Sequence, residues 1–245
     1  MTKATVVLDP WPEDLYLISD IHANAPALRS VLSAIPDDAV ILCAGDIVDY
    51  YKDPNEVCDL LRERGVLCIQ GNHDEYVLSG VDLPPDRDRK YMTSWTRTEL
   101  TEENRAWLAS LPTSLDVLAG GRYESPVSPV VRVFHGSMTS NEDRLYPDTD
   151  LSPFEDATCR LLVGGHTHHP MVRESGNNVF INPGSVGQPR DWKPGAAFAI
   201  LHSPDATVTF ERASYDIAGY VSDLVAAGFP EDTARVLLRQ REVTG

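Results

Sequence analysis

Between Leu15 and Asp74 three stretches stand out: Leu15-Tyr16-Leu17-Ile18-Ser19-Asp20-Ile21-His22, Ala39-Val40-Ile41-Leu42-Cys43-Ala44-Gly45-Asp46 and Val66-Leu67-Cys68-Ile69-Gln70-Gly71-Asn72-His73-Asp74. Each begins as a nearly continuous apolar run, the pattern of a strand covered on both faces, and turns polar where the run ends. Helical stretches separate them. Ala25 to Ala34 is opened by Asn24 as a cap, with Pro26 early in the first turn; Asn55 to Arg64 is preceded by Asp53-Pro54 and closed by Gly65. Strand, helix, strand, helix, strand predicts parallel pairing through right-handed crossovers.

Working outward, Val130 to Phe134 and Leu161 to Gly164 repeat the pattern and run into His135-Gly136-Ser137 and Gly165-His166-Thr167-His168. Val172 to Ser175 and Val179 to Ile181 flank the hairpin turn Gly176-Asn177-Asn178, and Ala196 to Leu201 and Thr207 to Ala213 read as later strands. Antiparallel strands late in the chain predict a second sheet packed on the first. The expected fold class is α/β, a four-layer α-β-β-α sandwich of two mixed sheets. Ligands of such sheets gather beyond the carboxyl ends of strands, so motifs that each follow a strand converge on one rim. Asp82 to Leu111 differs in character: charged, then helical, with Trp95, Leu100, Trp107, Leu108 and Leu111 spaced for an apolar face. It is expected to be an inserted helical cap at about 82–112, its tryptophans serving as core anchors rather than stacking platforms. Ile217 to Ala227 and Asp232 to Arg239 predict C-terminal helices within about 214–240, and residues 1–245 are expected to form one domain.

The chain has 245 residues, 42% of them hydrophobic, enough to bury a large core. Its 21 Lys and Arg against 37 Asp and Glu give a net charge of −16, which argues against duplex nucleic acid as a partner. Most of the acids, such as those in Asp82 to Asp88, are expected on solvated faces. Cys43, Cys58, Cys68 and Cys159 show no CxxC spacing and read as buried reduced thiols. No signal peptide or membrane-length apolar run is visible, so a cytoplasmic protein without a membrane partner is expected. A homo-oligomer remains open.

Charged and imidazole groups clustered at low exposure require a cation or partner to compensate them. Asp20 and His22, two apart at a strand end, are expected to leave the extended backbone on one side and bind one cation together. Asp46 follows a glycine that permits close backbone approach, and its two oxygens suit a bridge between cations. Asn72, His73 and Asp74 supply an amide, an imidazole and a carboxylate able to fix the imidazole's tautomer. His135, His166 and His168 add donors. Without thiolates, this set suits manganese, iron, cobalt, nickel, zinc or magnesium. Two divalent ions about 3.5–4 Å apart can hold a hydroxide and clamp phosphate oxygens, so phosphate-ester hydrolysis is the expected chemistry. His73 is the candidate general acid with Asp74 as its partner. Asp49 is expected to orient a ligand or cap the next segment, Arg190 to hold a second phosphate or the substrate's far end, and Tyr50 and Tyr51 to line the cleft or fill the core.

The five motifs together resemble those of the calcineurin-like metallophosphoesterase superfamily, over roughly Leu15 to Leu201, and Asn182-Pro183-Gly184-Ser185-Val186-Gly187-Gln188-Pro189-Arg190 resembles its compact bacterial and archaeal YfcE-like phosphodiesterase branch. The resemblance implies Asp20, His22, Asp46 and His168 at the first metal, and Asp46, Asn72, His135 and His166 at the second. It also implies a small phosphodiester substrate, such as a cyclic nucleotide or nucleotide-like compound. The alternatives are a phosphomonoesterase or Ser/Thr-type protein phosphatase, or a non-catalytic interaction module. The phosphatase and dinucleoside tetraphosphatase branches continue as GDxxDRG and GNHE, whereas this chain has Asp49-Tyr50-Tyr51 and Asn72-His73-Asp74; the missing arginine argues against both.

Overall fold

The computed structural model describes residues 2–120, 130–203 and 205–239. The chain runs β1 (Lys3–Leu8), β2 (Asp14–Ile18), α1 (Ala25–Ala34), β3 (Val40–Cys43), α2 (Pro54–Glu63), β4 (Leu67–Cys68) and α3 (Asn72–Ser79). The Asn24 side chain accepts from the Ala27 N–H at 3.1 Å, and Pro26 occupies the first turn of α1, so cap and proline fix this helix start. β2, β3 and β4 pair in parallel, with Leu17 beside Leu42 and Cys43 beside Cys68. β4 is shorter than the apolar run Val66 to Gln70 suggests, because the Gln70 N–H leaves the ladder for the Pro112 carbonyl.

Three short helices follow, α4 (Pro85–Tyr91), α5 (Thr93–Glu99) and α6 (Glu102–Ser110). α4 buries no side chain. Leu100 and Leu108, with partly buried Trp107 and Leu111, join the core beneath α1 and α2, and Trp95 packs edge-to-face on Phe229 at 4.8 Å. Both tryptophans are packing anchors.

The remaining elements are β5 (Ser114–Ala119), β6 (Val131–Phe134), β7 (Leu161–Val163), β8 (Met171–Ser175), β9 (Asn178–Asn182), β10 (Ala196–His202), β11 (Thr207–Ala213), α7 (Ile217–Ala226) and α8 (Glu231–Ala234), which leads into a 3-10 turn at Arg235–Leu238. The strands form two mixed sheets, ordered β1-β5-β6-β7-β9-β8 and β11-β10-β2-β3-β4. The late strands therefore do not make a sheet of their own: β8 and β9 extend the first sheet, while β10 and β11 extend the second. β1 is the first sheet's edge strand and pairs in parallel with β5; its half-buried, alternating side chains make no continuous apolar run.

Side-chain alternation sorts each central strand into two cores. Leu15, Leu17, Leu42, Val131, Val133, Leu161, Val163 and Ile181 meet between the sheets. Tyr16, Ile18, Ile41 and Cys43 face α1 and α2. On the far side Phe134, Leu162 and Phe180 are covered by Leu145, Leu151 and Phe154. Among the described residues this fourth layer is irregular apart from a 3-10 turn at Ser152–Phe154. All four cysteines are buried free thiols. No described helix is long and apolar enough to cross a membrane.

Candidate metal centre

The five motifs meet at one rim, delivered by β2, β3 and β4 from one sheet and by β6 and β7 from the other. Asp20 and His22 do not come off an extended strand as their spacing suggests. β2 ends at Ile18, and Asp20 and His22 take φ of 53° and 51°, as Asp46, His166 and His168 take 56°, 66° and 60°. Left-handed backbone at non-glycine residues is strained and persists only where surroundings enforce it. Here the Asp20 N–H donates to the Gly45 carbonyl at 2.9 Å, the His22 N–H to Asp46 at 3.0 Å and the Gly165 N–H to His135 at 2.8 Å. The segment Asn182 to Arg190 braces the same turn: the Ser185 hydroxyl and the Gly187 N–H both donate to the Asp20 carbonyl, at 2.6 and 3.0 Å. Glycine is required at the crossing of two motifs, where a Cβ on Gly71 would lie 2.1 Å from Asp46 Oδ1 and one on Gly45 2.6 Å from Gly71 N.

Asp20, His22, Asp46 and His168 place one donor atom each within 4.8 Å of one another, and Asp46, His135 and His166 do the same, so Asp46 belongs to both groups. The Asn72 amide oxygen, 3.0 Å from His135 Nε2, joins the second group. His22, His135 and His168 each engage a backbone carbonyl through Nδ1, those of Val48, Ala44 and Gln188, at 3.2, 2.7 and 2.7 Å. Donation there turns the Nε2 atoms toward the site, as lone pairs on His22 and His168, an arrangement that orients metal-binding imidazoles. His22 Nε2 and His168 Nε2 then stand 3.2 Å apart, and lone pairs at that distance repel unless a cation lies between them. Asp20 Oδ2, Asp46 Oδ2 and His166 Nε2 are buried without a hydrogen-bond partner. Buried orphan acceptors are costly. The orphaned atoms and the thiolate-free donor set fit divalent metal binding.

Burial raises the Asp20 carboxyl to about 7 and, with the charge of His135, lowers His166 to about 3. Burial likewise holds His22 and His168 well below the usual imidazole range. For His135 burial opposes the charged form, but Asp46 outweighs it and raises the imidazole to about 10. Asp46 is lowered well below the carboxylate range: burial opposes this, and His135 and His73 prevail.

The partner of His73 is Asp49, not Asp74. His73 Nδ1 lies 3.0 Å from Asp49 Oδ2, which also accepts from the Thr93 hydroxyl at 2.7 Å. Asp74 turns away from the imidazole: its carboxylate accepts from the backbone N–H groups of Ile47, Val48 and Gly71, at 3.0, 3.1 and 2.8 Å. It clamps the second motif to the start of α3, because three orphan N–H groups converge there and adjacency in sequence does not imply facing side chains. Burial opposes the charged form of His73, yet Asp46 and Asp49 outweigh it and raise its pKa.

A cleft of about 460 Å³ opens over this centre. Arg190 lines it half-buried, its guanidinium donating to Gln188 Oε1 at 3.0 Å. Tyr50, although buried, lines it too, whereas Tyr51 is buried away from it and its hydroxyl accepts from Gln188 Nε2 at 3.0 Å. Tyr76, Arg87, Lys90, Tyr91, Arg144 and Arg239 also reach the cleft. Nothing in their spacing marks them, and Thr93 reaches Asp49 only through the tertiary fold.

Relatives define the class of protein as a metal-dependent phosphoesterase. A solved metallophosphoesterase from Sphaerobacter thermophilus is 31% identical with a TM-score of 0.75, covering 94% of this chain and 99% of that one. An uncharacterized protein of Methanocaldococcus jannaschii is 32% identical over 242 residues, 88% of this chain and 93% of that protein. A hypothetical protein of Pyrococcus horikoshii shares the fold at 19% identity and a TM-score of 0.77, over 94% and 100% of the two chains. The chain belongs to the calcineurin-like phosphoesterase superfamily, whose domain model matches residues 14–206.

Proposed function

We propose that the protein hydrolyses a small phosphodiester with two divalent ions, manganese foremost. The observation that carries this is the pair of buried donor groups sharing Asp46. Asp20, His22, Asp46 and His168 would hold one ion, and Asp46, Asn72, His135 and His166 the other. Bound there, divalent ions neutralise phosphate oxygens and make water acidic enough to act as a nucleophile near neutral pH. In the hydrolysis, water's oxygen bonds to phosphorus, the ester P–O bond breaks and the departing oxygen takes a proton from His73. Asp49 serves that step by occupying Nδ1, which leaves Nε2 as the donating nitrogen, and by favouring the protonated ring. Arg190 would neutralise a substrate oxygen from the cleft wall. A diester is favoured over a monoester because Tyr50 follows Asp49 where phosphatase relatives carry arginine, and Tyr50, Tyr76 and Tyr91 give the cleft a wall for an organic arm.

The test compares bis-p-nitrophenyl phosphate with p-nitrophenyl phosphate, using protein stripped of metal and reloaded with manganese. Metal-dependent preference for the diester is expected; preference for the monoester would replace the diester with a phosphatase substrate.

A further inference from the structure

Among the described residues eight Lys and Arg side chains are paired with a carboxylate, Arg29, Arg62, Arg132 and Arg212 among them, and eleven are not, although acids outnumber bases 37 to 21. Arg87, Lys90, Arg144, Arg190 and Arg239 line the cleft, and among the described residues none of these five forms an ion pair. The carboxylates that share the cleft are engaged otherwise. Asp46 belongs to the metal centre, Glu142 accepts from the Tyr76 hydroxyl, and Asp232 accepts from the Thr233 N–H at 3.1 Å. Five cations against three carboxylates leave the wall with an excess of like charges that have no ion-pair partner and repel one another, so it makes physical sense as a receptor for anions.

The five cations exceed what one phosphodiester needs, since a diester carries a single negative charge and the metal centre already answers it. Arg239 lies over the Trp192 ring, and the other four lie in two places. Arg190 follows the segment that braces Asp20, its backbone N–H donating to the His168 carbonyl at 3.4 Å, while Arg144 lines the cleft together with His166. Arg87 and Lys90 belong to α4, which meets the centre through Tyr91, whose ring sits edge-on to His73 at 4.6 Å. Tyr91 packs α4 against Tyr50 and His73, and the exposed turn before it presents two cations to the cleft.

We propose that the substrate is a phosphodiester carrying a further phosphate on one organic arm, the reacting phosphate flanked by Arg144 and Arg190 and the second phosphate held by Arg87 and Lys90. This substrate class rests on the diester hydrolysis proposed above. Exposed cation–phosphate contacts of this kind weaken with salt.

The test uses a matched pair, the 5′-p-nitrophenyl ester of thymidine 5′-phosphate with and without a 3′-phosphate, on the full chain reloaded with manganese. The phosphorylated compound should show kcat/KM about ten-fold or more higher, the factor that about 1.4 kcal/mol supplies. The preference should shrink to within about two-fold in the Arg87→Ala/Lys90→Ala variant and at high salt, because exposed charges are screened there. Equal kcat/KM for the pair would overturn the inference. If neither compound is cleaved, the proposed diester hydrolysis fails, and titration calorimetry with thymidine 3′,5′-bisphosphate against thymidine 5′-monophosphate still decides the second phosphate site: tighter binding of the bisphosphate, lost in the variant, supports it, and equal affinity refutes it.

Discussion

Asp49, 24 residues before His73, and Asp74, its immediate neighbour, are both buried carboxylates, and they do different work. Asp49 touches the imidazole, so Asp49→Asn should keep its metal and fold yet lose about 100-fold in turnover of esters with poor leaving groups, within the range for a displaced general acid. The loss should be much smaller with nitrophenolate as the leaving group, which needs no proton; elemental analysis and kinetics on the two ester types check this. Asp74→Ala instead strands the N–H groups of Ile47, Val48 and Gly71, and should destabilise the fold by about 3 kcal/mol or more in denaturant titration. The residues of the two donor groups are legible in sequence because each motif stands where an apolar run ends. The partner of His73 is not, because a side chain's direction depends on backbone torsions that residue identity does not reveal, and the neighbouring Asp74 looks equally suited. The left-handed backbone at Asp20, His22 and Asp46 is hidden for the same reason.

Among the elements, α1 and the parallel order of β2, β3 and β4 could be read from caps and apolar runs, because these segments bury both faces and carry their own start and stop signals. β1 could not, since an alternating edge strand leaves little apolar excess, and β5 could not because Ser114 and Asp116 interrupt its apolar run. Their neighbourhood gives a pH test. Asp116 on β5 faces Arg132 on β6 in register, with an Arg132 Nε–Asp116 Oδ1 distance of 2.6 Å, and Lys3 Nζ on β1 lies 2.6 Å from Asp116 Oδ2. Burial opposes the ionised carboxyl, but Arg132 and Lys3 prevail and hold its pKa below the usual carboxylate range. A depressed carboxylate contributes stability above its unfolded pKa, and that contribution is lost as pH falls through the folded pKa. Asp116→Asn should therefore cost about 1–3 kcal/mol near pH 7. The difference from wild type in urea denaturation should close as the pH falls below about 4, where the unfolded carboxyl takes up its proton. α5 has its own test through Thr93: Thr93→Val should retain the fold and metal content and move the alkaline fall of turnover to higher pH, because Asp49 without its hydroxyl donor becomes a more basic partner for the protonated His73.

At the scale of the molecule, two sheets carry loops that are strained individually and hold together through one another, and the buried acceptors between them lack partners of their own. Divalent ions that bind the folded chain and not the unfolded one should raise its stability by about 2.7 kcal/mol at a hundred times the dissociation constant. Chelator should lower the melting temperature and manganese restore it, as a calorimetric scan would record. The −16 surface with a cationic cleft also predicts that salt weakens substrate capture more than it alters the step after binding, seen as a rise in KM at nearly constant kcat. The decisive measurement is a titration of the stripped protein with manganese, following bound metal by elemental analysis and diester hydrolysis together. Activity should appear and level off as the chain fills to two ions, with Asp46→Asn unable to reach that occupancy. Full activity at one ion per chain, or two ions held undiminished by Asp46→Asn, would contradict a centre built around a shared Asp46.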